Sequence, residues 1–196
     1  MSDTPVTLIA KSESAENAQE WIDKEPGSLV CTINDSALLL SENQAVDYCV
    51  FSHFRLVEEA RSTWSRTGLF LSPVVAGYHG GLAIRPMEPL APEGFPKEKW
   101  ITNESRYCNS ERDLIEEMVR HRQVIWHHTT SAALSWLIAT DHKWIRIIGV
   151  ESSKKGRVKG VGGYQGDWDF NKWLEVNKTI CEVATEMRGA KVEWYK

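Results

Sequence analysis

Two adjacent histidines, His127 and His128, close a short apolar run and are followed at once by Thr129, Thr130 and Ser131. An imidazole titrates near neutrality, so at the carboxyl end of a strand, beside hydroxyl groups, it is placed to work as a general base. Side chains of neighbouring strand residues point to opposite faces. One of the two is therefore expected to face a site, and the pair makes a poor two-ligand metal centre. Three successive hydroxyl residues at a helix start are more than one N-cap needs. They read as ligand contacts, to phosphate in particular, or as an over-supplied cap.

Other polar groups stand at equivalent points of the chain. Lys11-Ser12-Glu13-Ser14 lies between an apolar strand and a helical pattern. Backbone amides and serine hydroxyls at such a turn suit a phosphate, and the same serines suit simple capping. No G-x-G-x-x-G or Walker lysine accompanies them. Asn34 and Asp35 follow the second apolar run, where they can bond a ribose or a base edge, or make a turn. Gly149-Val150-Glu151 ends another run, and the Glu151 carboxylate can hold ribose hydroxyls or stand in solvent. The basic loop that follows, with Lys155 and Arg157, reads as a clamp over diphosphate or as a solvated lysine run. Tyr164, Trp168 and Trp173 come next and could stack on a base or sugar; the spacing of the two tryptophans puts them on different helix faces, so one belongs to the core. His79 reads as a turn or lid residue, and His53, His121 and His142 as helix-face or turn residues.

The elements that must position these groups alternate. Apolar runs at 6–10, 29–33, 48–51, 69–71, 124–126 and 144–150 read as strands. Helical patterns cover 14–22, 53–66, 110–121, 130–140 and 168–188, with Phe54, Val57, Ala60 and Trp64 on one face of the second. Gly68 and Gly189 read as helix stops, and 191–194 as an edge strand. The alternation predicts an α/β fold, a Rossmann-like doubly wound and mostly parallel sheet, with 6–10, 29–33, 124–126 and 145–149 as its central strands. Residues 77–110 hold four prolines and little periodicity, and read as a long irregular, lid-like excursion from a single nucleotide-binding domain over 1–196.

Composition narrows the function classes. The 196 residues are 42% hydrophobic and 26% charged, which supports a packed core and excludes wholesale disorder. A net charge of −4 gives no global attraction for nucleic acid or an anionic membrane. The four cysteines are far apart, without a C-x-x-C, and read as buried free thiols of a reducing compartment. No apolar run is long enough for a membrane span, which predicts a cytoplasmic protein. No metal-ligand spacing is present.

Strand, small polar turn, helix, and a strand ending in Asn34-Asp35 resemble the nucleotide-binding start of the bacterial sialyltransferases and of the 6-hydroxymethylpterin diphosphokinase-like proteins. Asn34 matches the asparagine that ends the second strand in those families, and Asp47-Tyr48 is similar to their D-Y strand. Thr130-Ser131-Ala132-Ala133 through Ile147-Ile148-Gly149-Val150-Glu151 is similar to their second motif. The glycines of the first turn are missing, and Glu151 stands where those families carry aspartate. The resemblance implies a transferase acting on a nucleotide-activated donor, most plausibly a glycosyltransferase with a sugar nucleotide as substrate and no permanently bound cofactor. In that scheme Ser12, Ser14, Asn34 and Asp35 meet the nucleotide and Thr129, Thr130 and Ser131 the phosphate. Glu151 holds the ribose, Lys155 and Arg157 clamp the diphosphate, and His127 or His128 is the base. Similar small stand-alone proteins are encoded by bacteriophages, so a phage source is compatible with the resemblance. The lost glycines and the nine tryptophans fit a second scheme, a non-catalytic module of the same fold that binds a nucleotide or a partner protein.

Overall fold

The computed structural model describes residues 4–75, 91–108, 111–150 and 170–195. Eight strands, β1 (Val6–Ile9), β2 (Leu29–Ile33), β3 (Val46–Val50), β4 (Thr67–Val75), β5 (Trp100–Tyr107), β6 (Val124–Trp126), β7 (Trp144–Ile148) and β8 (Lys191–Tyr195), form one curled sheet. Their order is β6-β5-β4-β3-β2-β1-β7-β8, and every neighbouring pair is parallel. The fold is α/β, Rossmann-like and doubly wound.

The pattern of each strand explains its place. Val6, Leu8 and Ala10 face one core layer with Ile145 and Ile147 of β7, while Ile9 and Ile148 face the layer on the opposite side. A strand covered on both faces has little polar side to show, so β1, β2 and β7 read as largely apolar runs, interrupted by the buried Thr7, Thr32 and Arg146. Asp47 accepts the N–H of Val30 at 2.8 Å, which ties its carboxylate to β2 rather than to a ligand.

Helices cover both faces. On one lie α1 (Ala18–Asp23), which extends a 3-10 turn over Glu13–Asn17, and α2 (Phe54–Glu59). On the other lie α3 (Arg112–Arg120), α4 (Thr129–Ala139) and α5 (Phe170–Arg188). In α3 the buried residues Ile115, Met118 and Val119 recur at the helical spacing that makes one apolar stripe. In α4 nearly every residue from Thr130 to Ile138 is buried, so this helix runs through the core rather than along its surface. Ser135 takes the N–H of Ile125 at 2.8 Å and donates to the carbonyl of Ser131 at 2.7 Å, which seats α4 against β6.

Three features differ from the sequence reading. Residues 124–126 form an edge strand, not a central one; their apolar character comes from α4 lying over them. The 53–66 pattern is α2 followed by a 3-10 turn over Arg61–Arg66, and Gly68 lies inside β4, where a Cβ would meet the Asp47 carbonyl at 3.0 Å. The stretch expected to be irregular contains β5, a strand too polar on its exposed side to show an apolar run.

The sheet reverses direction at β1. Chain order runs from β1 to β6 toward one edge and returns with β7 to the other side of β1. In open α/β sheets ligands bind beyond the carboxyl ends of the strands at such a switch point.

Candidate functional site

At the switch point the turn after β1 is stitched to the end of β7. The N–H groups of Ala10 and Ser12 donate to the carbonyls of Ile148 and Gly149 at 2.8 and 3.0 Å, and the Gly149 N–H donates to Ser14 Oγ at 3.0 Å. Gly149 has φ +76, and a Cβ there would stand 2.7 Å from Ala15 Cβ and 3.1 Å from Lys11 N. Glycine is what lets the two turns close on each other.

A second chain of contacts runs over the ends of β2 and β3. Asn34 adopts φ 50, a left-handed conformation that asparagine tolerates better than most residues. Its Oδ1 accepts the Ser52 N–H at 3.1 Å, and Ser52 Oγ lies 2.7 Å from Thr129 Oγ1 on the first turn of α4. The N-terminus of α4, the positive end of its dipole, is thereby brought beside Ser52, just past the end of β3. Beneath, Ser36 Oγ takes the Ile33 N–H at 2.9 Å and donates to the Ile9 carbonyl at 2.8 Å, locking β1 to β2.

Lys11 and Asp35 join these two groups. Each is the chain neighbour of a member, Ser12 and Asn34, and their side chains form an ion pair in which Lys11 is 8% and Asp35 0% exposed. His53, exposed at the end of β3, is near enough for the Lys11 charge to add to partial burial in lowering its pKa.

The predicted site residues thus separate. Ser12, Asn34, Asp35 and Thr129 come together around this edge. Ser14 is there too, with its hydroxyl accepting from Gly149. Thr130 is buried in the first turn of α4. Ser131 is a cap: its Oγ takes the N–H groups of His127 and His128 at 3.0 Å each and donates to the His128 carbonyl at 2.7 Å. Glu151, Lys155, Arg157, His79, Tyr164 and Trp168 lie outside the described residues.

The two histidines are not equivalent. His128 is buried, stacked on Trp173 with ring centroids 4.9 Å apart, and its Nε2 accepts from Asn177 Nδ2 at 3.0 Å. Burial first, then the neighbouring His127, drives its pKa down to about 3. His127 is half-buried beside Tyr107, and its Nδ1–H donates to the Cys108 carbonyl at 2.9 Å. That bond selects the tautomer whose Nε2 carries the lone pair. Burial lowers the His127 pKa, the bond to Cys108 acts against that, and Lys172 adds to the lowering.

Lys11, Ser52 and His53 are the members that sequence reading missed as functional groups. Lys11 carries no motif, and its partner Asp35 is distant in the chain. Among the described residues no cluster of three or more His, Cys, Asp or Glu is placed to hold a metal ion. Among the same residues no helix is long and apolar enough to cross a membrane. Comparison of the chain with protein-family models, curated proteins and solved structures gives no match.

Proposed function

We propose that the protein binds a nucleotide-type ligand at the carboxyl edge of β1, β2 and β3 and acts as a transferase on a nucleotide-activated donor, a sugar nucleotide by preference. The observation that carries this reading is the Lys11–Asp35 pair beside the point where the strand order reverses, next to the Asn34–Ser52–Thr129 contacts past the ends of β2 and β3. A cation, a side-chain amide, two hydroxyls and a helix N-terminus are complementary to phosphate and ribose oxygens. In this scheme His127, with Nδ1 held by a backbone carbonyl, accepts the acceptor's proton at Nε2. His128, neutral and enclosed by Trp173 and Asn177, holds the start of α4 in position.

A second reading is a binding module of the same fold. It is favoured by the hydroxyls of Ser14 and Ser131 already serving the protein's own backbone. Donor hydrolysis separates the two. Incubated without acceptor, a transferase releases free nucleotide slowly from a sugar nucleotide, and the His127→Ala variant does not. Tight binding with no release from any sugar nucleotide would leave the module reading standing.

A further inference from the structure

The Lys11–Asp35 pair is the least expected object in the fold. Both side chains are withdrawn from water, Lys11 just past β1, where the strand order reverses, and Asp35 just past its neighbour β2. Taking two charges out of water costs more than their mutual attraction usually returns, and well-packed apolar residues in their place are often as stable. Stability alone is therefore a weak reason for the pair. The β1 and β2 ends are already joined without it, through Ser36 and the parallel ladder. The β1 turn is also already fixed on β7 through Gly149.

The surroundings say what the pair faces. Asp35 follows Asn34, whose amide reaches Ser52 and through it Thr129 at the positive end of α4. His53 borders the same place from the end of β3. An anionic group that approached the ends of β1 and β2 beside Asn34 would come toward the Lys11 ammonium, which lies against Asp35. Until then Asp35 neutralises the ammonium and keeps it from an unpaired, desolvated state.

We infer that Lys11 is the residue that reads the charge of the ligand, with Asp35 as its resting counter-ion, and that the ligand group over the edge is a nucleotide phosphate. This rests on the nucleotide-site reading above and makes it more specific. Binding shifts the ammonium from sharing one carboxylate to bridging carboxylate and phosphate, with no change of protonation required.

The test compares uncharged nucleosides with the corresponding nucleoside diphosphates, by calorimetry, on the full chain and on the double variant Lys11→Met/Asp35→Leu. For the wild type we expect the diphosphate of at least one base to bind about tenfold or more tightly than its nucleoside. In the double variant that advantage should vanish, with the thermal midpoint at or above that of the wild type. A folded double variant that keeps the diphosphate advantage overturns the inference and leaves the site reading intact. A wild type that binds no nucleotide of the panel overturns the site reading, and the inference with it. A readout without substitution guards against a variant that fails to fold. The 15N signal of the Lys11 ammonium should shift on addition of the diphosphate and stay unmoved by the nucleoside; an ammonium indifferent to both contradicts the inference.

Discussion

At the scale of single residues, His127→Ala and His128→Ala should fail in different ways. His127→Ala is expected to lower turnover by about a hundredfold with nucleotide affinity nearly unchanged, as loss of a general base does. His128→Ala is expected to lower stability by about 2 kcal/mol or more, because it empties the stack on Trp173 and leaves Asn177 without its partner. Urea titrations and turnover assays on both variants check this; a destabilised His127→Ala beside an inactive but stable His128→Ala would reverse the assignment. The sequence put both histidines at the strand end and allowed only one to face a site. It did not tell that His128 would be the buried one, because Trp173 and Asn177, which enclose it, lie far along the chain. The same limit hid Lys11. A lysine beside two serines reads as a turn until a carboxylate from the next strand end is seen to lie against it.

At the scale of elements, the junction of the β1 turn with the β7 end is the most exacting contact. Gly149→Ala combines a left-handed backbone with a Cβ pressed against Ala15 and the Lys11 amide, and should cost about 2 kcal/mol or more. Gly27→Ala is the internal control: its φ is +95, yet nothing lies within 4 Å of the added carbon, so only the backbone cost of about 1 kcal/mol applies. Equal losses at the two positions, measured by urea midpoint, would mean that the turns do not close on each other as described. Short, largely apolar runs made β1, β2 and β7 legible in the sequence. β5 was not, because Ile101 and Tyr107 are exposed and polar residues fill much of the strand between them. β6 was legible as a strand but misplaced in the sheet. Its burial comes from α4, and a helix cover leaves the same apolar signature as a pair of neighbouring strands.

At the scale of the whole molecule, the protein should be acid-labile for a stated reason. The His128 pKa lies well below that of an unfolded histidine, so the unfolded chain binds the proton more readily. Stability from this residue is complete above about pH 6.5 and falls as the pH drops toward the folded value of about 3. Near pH 5 the loss amounts to about 2 kcal/mol. His142, whose pKa burial also lowers, adds in the same direction. Urea midpoints at successive pH values should therefore fall from pH 7 to 5, and fall less steeply in His128→Ala; parallel slopes would remove His128 as the cause. The doubly wound topology was legible from the alternation of elements alone. The place proposed for the ligand rests on the strand order, which the alternation does not determine. The most direct measurement of that place is amide chemical-shift mapping of the 15N-labelled protein during titration with nucleoside diphosphates and sugar nucleotides. We expect the largest shifts at Ser12, Asn34, Ser52 and Thr129, moving together along one binding curve; shifts confined to other surfaces, or none with any ligand of the panel, would contradict a nucleotide site at the carboxyl edge.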